Sequence, residues 1–213
     1  MPAVSVLIAS HRPHLLPYAL ESVWAQRGIS QADIQVLVNY CQDPANFQTA
    51  WNRLAQIATG RYLVILGDDD TLEPDYLAAA VETLDETGAD IAHSNVRLAH
   101  RSGPHVTETD RYFPPTLVTL TQMVSGNRIW QSSVVRAATW HMVGGYDMTL
   151  EYVHDWDFWV RVFKSGGTAV HLPMLGWTHY THDGHRVTTS SNHEQAKAAL
   201  YAKHPDLLFN PQA

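Results

Sequence analysis

Residues 61–77, RYLVILGDDDTLEPDYL, constrain this chain more than any other stretch. An apolar run at 62–66 meets Gly67, then Asp68, Asp69 and Asp70, then a helix start at Pro74. An apolar run of this length between turn residues predicts a buried strand. Gly67 lets the chain turn where it leaves that strand, and Pro74 suits the first turn of a helix. The three carboxylates therefore fall at the carboxyl end of a strand, where open α/β sheets place their ligands. At an effective dielectric of about 20, each like-charge pair about 4 Å apart costs on the order of 4 kcal/mol. A hard divalent cation removes that repulsion, and carboxylate oxygens are its preferred ligands. The plainer alternative is a solvated acidic turn that caps the helix.

Strands and helices alternate around this stretch. Residues 4–9, 34–38, 62–66 and 91–96 read as short apolar strands. Residues 15–25, 45–58 and 74–86 carry apolar side chains at helical spacing and stop near Gly28, Gly60 and Gly88. A strand–helix pitch of about 30 residues predicts a parallel sheet with right-handed crossovers. Residues 100–116 are polar and read as a long excursion or an edge hairpin. Beyond them, 128–135 predicts a strand, 137–142 a short helix, 154–164 an aromatic-rich helix, 168–172 and 175–182 two strands, and 194–203 a terminal helix.

The totals narrow the function classes. An apolar fraction of 45% supports a packed core. A net charge of −7 argues against an extended nucleic-acid face, which needs a basic stripe. Cys41 is the single cysteine, so neither an intrachain disulfide nor a Cys-based zinc cage is available. No signal peptide and no apolar stretch of the roughly 20 residues that span a bilayer are found, so a cytoplasmic protein is expected.

Three separated motifs in order resemble the family 2 glycosyltransferases of the GT-A fold. VSVLIASHRPHLLPYALESVWAQ is similar to that family's first strand and helix. TAWNRLAQIATGRYLVILGDDDTLEPDYL resembles its second helix, metal-binding strand and following helix, and VGGYDMTLEYVHDWDFWVRV its acceptor-side motif. The likeness covers residues 3–97 and 128–188. It implies an α/β, GT-A type domain over 1–213: a mostly parallel central sheet, a nucleotide-sugar half (1–97) and a smaller acceptor-side half (98–213).

The resemblance also implies roles. Asp68 would face the ribose or donor sugar, and Asp69 would ligate a divalent metal, Mn²⁺ or Mg²⁺, with Asp70 as the neighbour able to substitute. Asp155 would be the base that takes a proton from the acceptor hydroxyl, a contribution of typically about 10²- to 10⁴-fold. His182 would complete the metal shell, with His185 in reserve, and Arg186 would meet a phosphate. Ser10 and His11 would line the nucleotide pocket, Asn39 would stand in the base-reading position, and Arg53 would serve phosphate binding or a structural ion pair. Where family members tend to be acidic, this chain has Gly67, Asn39 and His154. His154 would hold or tune Asp155, or simply pack. Helical tryptophan spacing is more often core, although Trp156, Phe158, Trp159 and Trp177 could include a sugar-stacking platform.

The activity so implied is a metal-dependent, inverting transfer of one sugar from a nucleotide diphosphate sugar to a hydroxyl acceptor, a glycan or small molecule, with a homo-oligomer also compatible. The alternatives are a degenerate nucleotide-sugar-binding module and a nucleotidyltransferase. The latter expects a glycine-rich phosphate loop, which Ser10-His11-Arg12-Pro13 lacks.

Overall fold

A computed structural model describes residues 1–41, 47–150, 152–183 and 190–208 of the chain. Its frame is the sheet that the apolar runs build. Strand β1 (Val4–Ser10) is buried along its whole length and pairs in parallel with β2 (Ile34–Tyr40) and β3 (Tyr62–Gly67). Side chains alternate across a strand, and here both faces are covered. Leu7, Leu63 and Ile65 pack to one side, against α2 (Phe47–Ile57) and the aromatic helix α6 (His154–Lys164). Val6, Ile8, Val64 and Leu66 pack to the other, against α1 (Leu16–Trp24) and α3 (Tyr76–Thr87). These buried runs explain why β1 and β3 read clearly from sequence.

The sheet has eight strands among the described residues, in the order β2-β1-β3, β7 (Val134–Arg136), β5 (Ile91–Ser102), β8 (Ala169–His182) and β4 (Thr71–Leu72), with β6 (His105–Tyr112) paired to β5. Beyond β3 it becomes mixed. Strand β7 (Val134–Arg136) runs antiparallel between β3 and β5 (Ile91–Ser102), so residue 91 begins a strand that is not the direct neighbour of β3. β5 pairs in parallel with β8 (Ala169–His182), a continuous 14-residue strand where two strands were expected. The 100–116 excursion is the edge hairpin: β5 runs on to Ser102 and β6 (His105–Tyr112) folds back on it. Strand β4 (Thr71–Leu72), between the acidic triplet and α3, pairs with β8. That pairing ties residues 71–72 to 177–178 and brings the acidic loop to the end of β8.

The remaining elements are short. Helix α4 (Leu120–Val124) is closed by a Thr119/Gln122 capping box. Helix α5 (Ala137–Val143) ends at Gly144 in the left-handed conformation. Helix α7 (Ser190–Lys203) packs Leu200 into the α6 core. No helix among the described residues is long and apolar enough to cross a membrane.

Candidate active site

The carboxyl ends of β1, β2 and β3 lie side by side, with Ala9 level with both Asn39 and Gly67. The Asp triplet follows directly and is splayed, Asp68 and Asp69 turned to Arg12 and Asp70 to His179. Buried Asp68 closes the first turn: its Oδ2 accepts from Ser10 Oγ (3.0 Å), His11 N (3.1 Å) and Arg12 N (2.9 Å). Arg12 Nη2 lies 2.7 Å from Asp68 Oδ1 and 2.8 Å from Asp69 Oδ2. Asp70 Oδ1 accepts from His179 Nδ1 (3.1 Å) and from Tyr180 N (3.0 Å). Protein cations thus offset much of the repulsion that the sequence assigned to a metal.

Asp69 has the most open chemistry of the three. Its Oδ2 lies 3.2 Å from His182 Nε2, a buried ring nitrogen with no aligned hydrogen-bond partner among the described residues. Burial alone raises the Asp69 pKa, but His182, Arg12 and His179 outweigh it and hold the carboxyl below its usual range. Burial disfavours charge on His179, yet Asp70 and Asp69 draw its pKa above that of a free imidazole. An oxygen and an unpartnered imidazole nitrogen side by side suit Mn²⁺ or Mg²⁺, the remaining positions falling to phosphate oxygens and water. No group of three or more His, Cys, Asp or Glu side chains among the described residues is arranged to hold a metal by itself. The residues therefore fit a two-donor site that a phosphate-bearing ligand would complete.

Gly67 has a reason different from the expected turn. A Cβ there would stand 2.9 Å from Asp70 Oδ2 and 3.0 Å from Asp69 Oδ1. Its bareness gives the two carboxylates room, and its backbone ends β3 as a strand residue.

Asp155 sits in the first turn of α6, where the helix dipole favours negative charge. The entry to that helix is fixed from α2. Asn52 Nδ2 donates to Tyr146 O (2.8 Å) and Asn52 Oδ1 accepts from Tyr146 N (2.9 Å). Gly145, at φ +69°, passes so close that a Cβ would meet Asn52 Oδ1 at 2.5 Å, so the second glycine of the VGGYD motif is a packing requirement, whereas Gly144 answers to its φ of +84° alone. Asp155 Oδ1 accepts from Trp156 N (2.8 Å) and Oδ2 from Asn127 Nδ2 (2.9 Å). Burial raises its pKa to about 6 against these hydrogen bonds. His154 packs: its ring centroid lies 5.6 Å from Trp51 and 4.8 Å from Tyr146, its Nδ1 is 3.4 Å from Gln48 Nε2, and burial lowers its pKa to about 4.

One cavity of about 540 Å³ joins the two halves, with Asp70 and His179 on one wall and Asp155, Asn127 and Lys197 on the other. Trp130 and Trp177, 6.2 Å apart, supply aromatic surface to it. Tyr152 also lines it, at φ +63°, a costly conformation for a bulky residue that sets the chain's approach to α6. Of the expected aromatic platform, Trp177 and Trp156 reach the cavity, whereas Phe158 and Trp159 are core.

Other expected site residues take varied places. His11 is half-buried, with its ring 5.1 Å from Phe47, and burial lowers its pKa. Asn39 is half-buried and accepts from Cys41 Sγ at 3.4 Å. Arg53 is exposed on α2. Asp157 is fully buried against Arg161, Lys203 and His204. Arg186 and His185 lie outside the described residues. Sequence reasoning missed Asn127, Trp130 and Lys197, whose relation to Asp155 is long-range. It also left Arg12 without a role, although its place between a strand end and Pro13 was visible.

Comparison with solved structures gives the same architecture. Staphylococcus aureus TarS, residues 1–349 in complex with UDP-GlcNAc, superposes with a TM-score of 0.70 at 12% identity, covering 95% of this chain and 66% of that one. The same 1–349 portion in complex with UDP gives 0.67 at 12% identity over 95% and 65%, and a further TarS structure gives 0.68 at 12% over 95% and 39%. The chain thus spans less than two thirds of each of these relatives. At this identity the likeness speaks for the fold, which is that of GT-A-like glycosyltransferases. No curated protein matches the chain by sequence. The sequence model described as Glycosyl transferase family 2 matches residues 27–143, from the approach to β2 through the acidic triplet to the end of α5. A match over more than half of the chain, on the fold and acidic strand end described above, makes this protein a member of glycosyl transferase family 2.

Proposed function

We propose that the protein transfers a sugar from a nucleotide diphosphate sugar to an acceptor hydroxyl, with inversion at the anomeric carbon. The observation that carries this reading is the shared cavity: Asp155 faces the wall that holds Asp70 and His179, next to Asp69 and His182. TarS structures in complex with UDP and UDP-GlcNAc support a nucleotide-sugar donor.

Asp155 acts as the general base. A pKa of about 6 leaves it ionised at neutral pH yet basic enough to take a proton from an attacking hydroxyl. Asn127 and the Trp156 N–H fix both carboxylate oxygens, which holds the base in one orientation. Trp130 and Trp177 offer flat apolar faces suited to a sugar ring. With Asp155 as the single base and Asp70 engaged by His179 and Tyr180 N, in-line attack gives inversion. Asp69 and His182 would hold the divalent ion, whose contribution is charge neutralisation at the leaving diphosphate.

The decisive experiment is donor turnover with Mn²⁺ by wild type and Asp155→Asn, beside UDP binding by both. Loss of turnover with binding retained supports the reading. Retained turnover excludes Asp155 as the base.

A further inference from the structure

Two cations stand at the cavity that holds Asp155, and no acid among the described residues pairs with either. Lys197, half-buried on α7, lines the cavity together with the loop Ser125-Gly126-Asn127. Arg128 follows that loop, its guanidinium carbon 3.9 Å from where a Cβ on Gly126 would stand. Its bonds go to neutral oxygens, Ser125 Oγ at 2.9 Å and Gln122 O at 3.4 Å. The ion pairs of the described residues include neither side chain. The chain has 21 acids against 14 lysines and arginines, so the missing partners do not reflect a shortage of acids.

The acids that line the cavity are committed elsewhere. Asp70 accepts from His179 and Tyr180 N, and Asp155 from Asn127 and Trp156 N. Lys197 is held at its wall by its own helix. One turn on, Tyr201 donates its hydroxyl to Val124 O at 2.6 Å, which ties α7 to the end of α4, where the loop to Asn127 begins. Trp130, which lines the same cavity, is braced by the Tyr112 ring at 5.1 Å. A ligand seated there meets aromatic faces suited to a sugar ring, a carboxylate for a hydroxyl proton, and positive charge without a counter-ion. Charge of one sign along a cleft concentrates and orients a ligand of the opposite sign.

We propose that the acceptor is an anionic sugar. Lys197 receives its phosphate or carboxylate group, Arg128 adds to the attraction, and the contact turns a hydroxyl toward Asp155. Calling this ligand the acceptor rests on the transfer reading above; the preference for an anion beside bound UDP does not.

Binding to the full chain is measured with UDP and Mn²⁺ saturating, so that the donor's own contacts are filled. Tryptophan fluorescence follows titration with three matched probes: glucose, glucose phosphorylated on its primary alcohol, and glucuronate. At least one anion binds tenfold or more tightly than glucose, and rising salt erodes the difference. The tighter of the two anions names the group. Lys197→Gln removes most of the preference, Lys197→Arg keeps it, and Arg128→Gln lowers it by a smaller factor. Arg27→Gln, which removes an exposed arginine paired with Asp75, binds as wild type. If Lys197→Gln does not fold, judged by its thermal midpoint, Arg128→Gln and the wild-type salt response carry the test. Anions no tighter than glucose, a preference indifferent to salt, one unchanged in folded Lys197→Gln, or an equal loss in Arg27→Gln overturns the proposal. An anion preference in a protein without donor turnover leaves the anion site and removes its acceptor role. Turnover without that preference leaves the transfer reading and overturns this inference.

Discussion

Asn127 donates its amide to Asp155 Oδ2 at 2.9 Å, from a loop 28 residues upstream, and thereby sets the terms on which Asp155 ionises. Burial pushes the carboxyl up, while the Trp156 N–H and the Asn127 amide pull it down. The result, about 6, lies where a carboxylate is both charged at neutral pH and appreciably basic.

Replacing Asp155 by Asn should lower transfer by about 10²- to 10⁴-fold, the usual contribution of a positioned base, while UDP affinity is preserved. In wild type, kcat/KM should rise with pH through about 6 and then level, since the base works only when ionised. Asn127→Ala removes a donor that favours the charged form, so its acid limb should move to higher pH. A limb unmoved by Asn127→Ala would show that this amide does not tune the base.

The same group should be visible in stability. A carboxyl whose folded pKa is raised contributes stability that is fully present below its unfolded pKa and is lost as pH rises through the folded value. Wild type is therefore penalised above pH about 6, and Asp155→Asn lifts that penalty. From the size of the shift, the variant should be more stable at pH 8 by roughly 1–3 kcal/mol, with the gain gone below about pH 4. Denaturant unfolding at the two pH values measures it, and an equal difference at both would refute the linkage.

What the sequence disclosed follows from how locally each feature is determined. β1 and β3 were legible because both faces are buried, which leaves an uninterrupted apolar run. β7 was placed too long because three residues, Val134–Arg136, suffice to fill the gap between β3 and β5. The acidic triplet was legible as the end of a strand but not in its detail: Asp68 is committed to the Ser10–Arg12 turn, 56–58 residues away. Asn127 and Lys197 carry no local signal, because folding alone brings them to Asp155.

Asp157 should matter for positioning rather than proton transfer. It is fully buried and bonds Arg161 Nε (2.8 Å), Lys203 Nζ (2.7 Å) and His204 Nε2 (2.8 Å), tying the end of α7 to α6. Burial opposes its charge, but His204, Lys203 and Arg161 hold its pKa below the usual carboxylate range. Asp157→Ala leaves Arg161 and His204 without their carboxylate, while Lys203 keeps Asp147, and should cost about 3–5 kcal/mol. Limited proteolysis should then cut α7 faster, and transfer should fall because Lys197, on α7, lines the cavity with Asp155. A stable Asp157→Ala protein with an undocked α7 and full activity would contradict this.

Gly67→Ala should separate function from stability. The added Cβ would meet Asp69 Oδ1 at 3.0 Å and the Asp70 carboxyl at 2.9 Å (Oδ2) and 3.3 Å (Cγ), side-chain ends that yield by small rotations. The fold should lose no more than about 1 kcal/mol, within the range of ordinary single substitutions. Moving Asp69 disturbs its 3.2 Å approach to His182, and moving Asp70 disturbs its bond to His179. Mn²⁺ affinity in the presence of UDP, read by electron paramagnetic resonance, should therefore drop at least tenfold while the thermal midpoint barely moves. Asp69→Asn should lower that affinity further, and EDTA should abolish transfer by wild type. Should Gly67→Ala bind Mn²⁺ as wild type does, the spacing of the two carboxylates is not what the ion requires.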